Sequence, residues 1–290
     1  MRIGALEAGG TKMVVAIGNE KGEIFERVSI PTKTPEITMP ELIYYFQNNK
    51  IDTLGIGCFG PIDLNKSSNT YGYITSTPKL AWRNYNIVGA FQKSLKVPVG
   101  FDTDVNASAI GEATWGSASD VSNSIYITIG TGVGVGVIID GKPLHGMLHP
   151  EAGHILLARH PEDSFKGCCP YHDNCMEGLA SGPAIEARYG KKAYELTDHQ
   201  GVWEMEGFYI AQAVVNYILT LSTQRIILGG GVMHQEQLMP IIHREVIRLL
   251  NGYINTTELR NIEKYIVFPK LNDNQGIMGC MKLGLDAITK

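Results

Sequence analysis

Cys169, His172 and Cys175 are spaced C-x-x-H-x-x-C, and His154 lies a short loop upstream. Two thiolates and two neutral imidazoles make a charge-neutral tetrahedral shell for Zn²⁺. His154, Cys169, His172 and Cys175 are therefore the expected metal ligands, and four protein ligands leave no open position for chemistry at the ion. The stretch that holds them, residues 149–178, also carries Glu151 and Glu177 near its ends. A filled zinc shell has no use for these two carboxylates. The metal is expected to hold a loop, and the loop to present carboxylates to something else.

Two glycine turns offer a second chemistry. Gly9 and Gly10, followed by Thr11 and Lys12, join two strand patterns. Glycines there let backbone N–H groups approach an anion, with a hydroxyl and an ammonium beside them. A phosphate fits, and so does a plain hairpin turn, for which Gly-Gly is common. Gly130, Thr131, Gly132 and Gly134 repeat the arrangement in the second half of the chain. Neither turn is a Walker A loop, and a strand rather than a helix follows, so neither is a dinucleotide fingerprint. Recurrence at matched positions favours a polyphosphate held by both. Gly229 and Gly230, after an apolar strand, suit the nucleoside end of a nucleotide. Asp102 and Asp104 sit where the strand VPVGFDT gives way to a helix, at a strand end where carboxylates reach a ligand crevice. Asp104 is equally placed to cap the helix that follows.

The elements that must carry these residues read in order. Residues 2–8, 11–18 and 23–30 form a three-strand meander. A helix pattern begins near Pro40 and an apolar strand covers 53–60. Residues 62–85 read as a long loop of functional composition. Helices near 87–95 and 105–116 flank a short strand. The pattern then restarts with strands at 124–130 and 132–140. The cysteine–histidine stretch follows, then a helix from about Gly182, a long helix over 206–222 and a strand RIILGGG. A helix over 236–250, a strand KYIVFPK and a last helix over 276–287 end the chain. Strand, glycine turn and strand thus occur twice, which predicts two α/β halves with mixed sheets. Domains are expected at 1–115, joined by the helix 276–290, and at 116–275.

The 290 residues carry a formal net charge of −4, 19% charged and 44% hydrophobic residues. These values describe an ordinary globular chain. No basic block or bilayer-length apolar run occurs, which argues against nucleic-acid and membrane partners. No signal-peptide layout is visible and the five cysteines do not read as a disulfide framework, so the cytoplasm is the expected location. Cys58 and Cys280 read as small buried hydrophobes. His145, His149, His160 and His199 read as surface or turn histidines.

EAGGTK, GPID, TDVNASAIGE, TIGTGVGVGVI, PEAGH, C-x-x-H-x-x-C-x-E and LGGGV occur in that order along essentially the whole chain. Together they resemble the ROK family of sugar kinases. The run C-P-x-H-x-x-C-x-E-G-L-A-S-G-P resembles the zinc-containing fructokinase branch. Pro170 stands where the glucokinase-like pattern has a second cysteine, and His172 appears instead. The first motif departs from the commoner D-x-G-G-T-K, with Glu7 in place of aspartate, so any role of Glu7 in positioning Mg²⁺ is left open.

The resemblance implies a duplicated actin-like (ribonuclease H-type) α/β fold, with two domains and ATP in the cleft between them. It implies Asp104 as general base, with Glu151, His154, Glu177 and Thr103 binding sugar hydroxyls. It further implies ATP and Mg²⁺, structural Zn²⁺, a hexose substrate and a homodimer. Fructose is the first choice of hexose; mannokinase or glucokinase activity is the alternative. A non-catalytic, sugar-responsive regulator is a reading of another class, against which the retained Asp104 counts.

Overall fold

A computed structural model describes residues 1–289. By Cα packing the chain forms two compact units. The first comprises Met1–Ser119, Lys142–His149 and the chain from Lys270 onward. The second comprises Asp120–Gly141 and Pro150–Pro269.

In the first unit, strands β1 (Ile3–Ala8), β2 (Lys12–Gly18) and β3 (Ile24–Pro31) form the meander. Helix α1 (Pro35–Asn49) leads to β4 (Thr53–Cys58). The segment after β4 holds two short strands, β5 (Tyr73–Ile74) and β6 (Tyr85–Asn86), and a 3₁₀ turn at Leu80–Trp82. Helix α2 (Ile87–Leu95), strand β7 (Val99–Thr103) and helix α3 (Asp104–Trp115) follow. The sheet order is β3-β2-β1-β4-β7, antiparallel across the meander and parallel from β1 to β7.

Side chains alternate across a strand, and the burial follows that rule. Leu6, Ala8, Met13, Val15 and Ile17 face a core with Met39, Leu42 and Phe46 of α1 and Phe91 of α2. Ile3, Ala5, Val14 and Ala16 face the other way, against Ala107 of α3 and Ile277, Cys280 and Met281. A fully buried large apolar side chain contributes roughly 1.5–3 kcal/mol, and both faces are filled with them. Lys142–His149 adds the two-residue strand β10 (Lys142–Pro143).

In the second unit β8 (Ser124–Ile129) and β9 (Val133–Ile139) form the hairpin. Short helix α4 (Met176–Ala180), α5 (Gly182–Tyr189) and the long α6 (Gln200–Leu221) precede β11 (Arg225–Gly229). Then come α7 (Leu238–Leu250), α8 (Thr257–Arg260), α9 (Ile262–Tyr265) and β12 (Ile266–Val267). The unit's own strands run β9-β8-β11-β12, antiparallel once and then parallel. This repeats β2-β1-β4-β7, so the topology is duplicated in the actin-like manner. The closing helix, α10 (Gln275–Ile288), belongs to the first unit.

Three elements differ from expectation. Helix α1 begins at Pro35, not near Pro40, because Pro35 supplies the preset φ of a first helical residue while Pro40 is carried inside. Helix α6 starts at Gln200, so Glu206 lies within it rather than at its start. The strand read in KYIVFPK shrinks to Ile266–Val267, because its first residues close α9.

Candidate active site and metal centre

In the first unit, Glu7, Gly57 and Asp102 are in register across β1, β4 and β7. The Gly9–Lys12 turn follows β1. Gly9 N–H donates to Lys12 O at 3.1 Å, and a Cβ on Gly9 would lie 2.6 Å from that oxygen. Thr32 holds the turn from outside, its hydroxyl donating to Gly9 O at 2.7 Å. Lys79 reaches the same turn, its Cε 3.1 Å from where a Cβ on Gly10 would be. Nothing in its surroundings in the sequence marked Lys79; a loop fold brings it there.

Asp102 and Asp104 have different fates. Asp102 is 2% exposed. Its Oδ1 accepts from Thr103 N–H and the Asn106 amide, and its Oδ2 pairs with His145 Nε2 at 2.9 Å. It is a structural carboxylate and not a crevice-facing one. Asp104 is not the N-cap of α3. Thr103 takes that place, its hydroxyl oxygen accepting from Asn106 N–H at 3.0 Å. Asp104 is the first helical residue, where the helix dipole favours an ionised carboxylate. Its Oδ1 accepts from Val105 N–H at 2.8 Å. Gly57 lets it sit close to the sheet, since a Cβ there would be 3.4 Å from Asp104 Cα. Burial, then the charge of Asp104, push the Glu7 carboxyl above its usual range, against the opposing pull of Arg27 and Lys12.

One of the four histidines read as surface residues departs from that reading, and another, though exposed, has a buried partner. His145 is paired with Asp102, and His149 is buried. Cys58 and Cys280 are fully buried, as expected, and burial holds both thiols far above their ordinary range.

In the second unit, His154, Cys169, His172 and Cys175 place one ligand atom each within 4.8 Å of one another. The sulfur of Cys169 is 3.8 Å from His154 Nδ1 and 3.7 Å from His172 Nδ1; that of Cys175 is 3.6 Å from His154 Nδ1. A tetrahedron with Zn–S and Zn–N bonds of ordinary length has S···N edges of about 3.6 Å. The donor set therefore fits Zn²⁺ in both chemistry and size. Cys175 caps α4, its sulfur accepting from Gly178 N–H at 3.3 Å. Burial pushes the Cys175 thiol up to about 11, so metal loading would release its proton. Cys168 is exposed and stands outside the four. With Nδ1 of His154 turned to the sulfurs, its Nε2 is left for a second partner.

Glu151 sits at the start of the 3₁₀ turn Ala152–His154, on the surface. Glu177 is in the first turn of α4, and its Oε2 accepts Val133 N–H at 3.0 Å. Val133 follows the second glycine turn, which is closed by Gly130 N–H to Gly132 O at 2.9 Å. Thr131 is exposed at its tip, and Gly134 lies on β9 opposite Thr128. Gly230 has φ +89°, and a Cβ there would be 2.5 Å from Ile129 backbone atoms. Gly229 likewise lets the Tyr126 hydroxyl approach, 2.8 Å from where its Cβ would be.

A duplicated sheet, a glycine turn after the first strand of each copy, and an aspartate opening a helix are together what a sugar-kinase fold requires. The ROK family model matches residues 3–287, and this chain belongs to the ROK family. A fructokinase of Pediococcus pentosaceus is 46% identical over 288 residues, spanning 99% of both chains. A fructokinase of Lactococcus lactis subsp. cremoris is 43% identical, over 99% of this chain and 98% of its own. The crystal structure of a ROK hexokinase from Thermus thermophilus superposes with a TM-score of 0.84 at 22% identity, over 100% of this chain and 99% of that one. The fold is thus the actin-like fold of sugar kinases. Among the described residues no helix is long and apolar enough to cross a membrane.

Proposed function

We propose that this protein transfers the γ-phosphoryl group of MgATP to O6 of D-fructose, with Asp104 as general base. The observation that carries the chemistry is Asp104 itself, on the first turn of α3, with capping delegated to Thr103. The observation that carries the substrate is the set of fructokinase relatives at 40–46% identity over 99% of this chain.

Phosphoryl transfer asks for positioning and charge stabilisation rather than covalent help. Asp104 accepts the O6 proton as the new O–P bond forms and the bond to ADP breaks. The turns at Gly9, Gly10, Thr11 and Lys12 and at Thr131, Gly132 and Gly134 hold phosphates. Gly229 and Gly230 line the nucleoside end. Mg²⁺ is carried mainly by phosphate and water, as that ion prefers. Glu151 and the outer oxygen of Glu177 accept from ring hydroxyls, His154 Nε2–H donates to a hydroxyl oxygen, and Thr103 lies beside the base. Zn²⁺ holds the loop that carries three of these groups. The working assembly is a homodimer in the cytoplasm, to be measured by light scattering and fractionation.

Replacing Asp104 by Asn keeps size and polarity and removes the base. kcat should fall about 10²–10⁴-fold, with the KM for ATP and the zinc content held. A variant with near-normal kcat would remove Asp104 from this role. In a panel of hexoses, kcat/KM should be highest for fructose; a preference for mannose or glucose would overturn the substrate.

A further inference from the structure

The zinc knuckle is not a separate appendage of the second unit. It is built onto the glycine turn at 130–133 at three points. Gly153, next to the ligand His154, packs against Val133 so closely that a Cβ would lie 2.0 Å from Val133 O. Glu177, two residues from the ligand Cys175, accepts Val133 N–H at 3.0 Å, and a Cβ on Gly132 would be 2.7 Å from the same carboxylate oxygen. Gly182 N–H, just past the end of α4, donates to Gly130 O at 2.8 Å. The knuckle is also stitched to itself: Leu156 bridges Cys175, and Met176 N–H donates to Ile155 O at 2.9 Å. The two ligand-bearing segments therefore move together. Both ends of the turn are fixed by atoms whose positions depend on where His154 and Cys175 are held.

We propose that the zinc knuckle buttresses the nucleotide turn, with Glu177 as the positioning residue that connects them. Metal occupancy then sets affinity for the nucleotide phosphates, in addition to any effect on the sugar. The proposal rests on the kinase reading for what the turn holds. It goes beyond that reading because it assigns the metal an effect on a ligand it never touches. α4 is only five residues long. Without a metal at its first turn it is too short to hold itself, and Glu177 would lose its bearing on Val133.

The test is calorimetric titration of MgADP, without sugar, into zinc-loaded protein, chelator-stripped protein, Glu177→Ala and Glu177→Gln. Stripped protein and the alanine variant should bind at least about tenfold more weakly, the scale of one charge-assisted hydrogen bond. The glutamine variant, whose carbonyl still accepts from Val133 N–H, should stay within about threefold of wild type. Equal binding by loaded and stripped protein would overturn the proposal. So would a stripped chain that has lost its far-ultraviolet circular dichroism, because the metal would then hold the fold and not the turn. Failure of zinc-loaded wild type to bind MgADP would sink the kinase reading instead. The buttress is then judged by hydrogen exchange in the peptide 124–139, which needs no ligand. Faster exchange at Val133 after zinc removal supports it, and unchanged protection overturns it. The same peptide serves if the alanine variant fails to fold.

Discussion

Lys79 shows how a single side chain is placed by groups that share no local pattern with it. Trp82 is buried, and its indole N–H donates to Lys33 O at 2.7 Å. Thr77 Oγ1 accepts Lys79 N–H at 3.3 Å, and Arg83 donates to Thr77 O at 3.2 Å. These contacts shape the loop so that Lys79 lies over Gly10. At this scale the placement of Asp104 at the start of a helix, the two glycine turns and the gathering of His154, Cys169, His172 and Cys175 were legible, because each needs a residue type at a fixed spacing. Lys79 was not, since a lysine in a polar loop has no spacing to read. Nor were the separate fates of Asp102 and Asp104, since Thr103 takes the cap and Asp102 pairs with His145, far along the chain. Lys79 should contribute one exposed charge to the phosphates. Lys79→Met should raise the KM for ATP about threefold to tenfold, an effect that shrinks with added salt, whereas Lys79→Arg should stay near wild type. An unchanged KM at low ionic strength would show that the ammonium does not reach the nucleotide.

The elements around the knuckle are tied by a buried polar cluster. Arg188 of α5 donates to Leu179 O at 2.8 Å, at the end of α4, and pairs with Asp163 at 3.3 Å. Its guanidinium lies 4.7 Å from the Phe165 ring centroid. Asp163 also accepts from the Tyr209 hydroxyl of α6 at 2.6 Å. Burial works to raise the Asp163 carboxyl, but Tyr209, Phe165 N–H and Arg188 together hold it below its usual range. Glu206 completes the cluster. Neither of its oxygens has a hydrogen-bond partner among the described residues, and Arg188 Nη1 is 4.0 Å away. Burial therefore pushes its carboxyl well above 4.5, with Arg188 opposing. The sequence pattern starts the long helix at Glu206 and leaves the six residues before it outside, whereas the helix begins at Gln200. Their helical state depends on Trp203, fully buried against the chain that precedes the helix, with its indole N–H donating to Leu196 O at 2.9 Å. The pH consequence has a definite sign. As pH rises past the unfolded value of 4.5, the unfolded chain loses this proton and the folded chain keeps it. Stability then falls with pH until the folded group ionises. Glu206→Gln is neutral throughout. Its melting temperature should match wild type near pH 4 and exceed it by a growing margin from pH 5 towards 8, measured by differential scanning fluorimetry. Parallel curves would mean that Glu206 is ionised in the folded protein.

For the whole molecule, the repeat of hairpin, parallel strand and helix was legible because strand and helix periods alternate twice along the chain. Which distant segments complete a core was less so, since burial periodicity names a buried face but not its partner. Lys142–His149 shows no sign in its residues that it packs with the first unit. The last helix carries such information only in its glycines. Against α10, Gly55, Gly100 and Gly111 come so close that a Cβ on each would fall 1.7, 2.0 and 2.2 Å from backbone oxygens of Cys280, Leu283 and Gln275. Gly279 does the same in return, 1.6 Å from Ala107 O of α3. Thr53 Oγ1 donates to Gly284 O at 2.7 Å, and Cys280 Sγ donates to Leu6 O at 3.1 Å. The last helix thus lies backbone to backbone on the sheet that the first strand belongs to, and neither can retreat without opening the packing between them. Gly279→Ala should therefore cost about 3 kcal/mol, a fall in melting temperature of roughly 5–10 °C for a chain this size. The four residues proposed to hold zinc lie in the other unit. Purified Gly279→Ala should accordingly keep one zinc per chain by atomic absorption while its urea midpoint drops. A variant as stable as wild type would mean that α10 packs against α3 with more room than these distances allow.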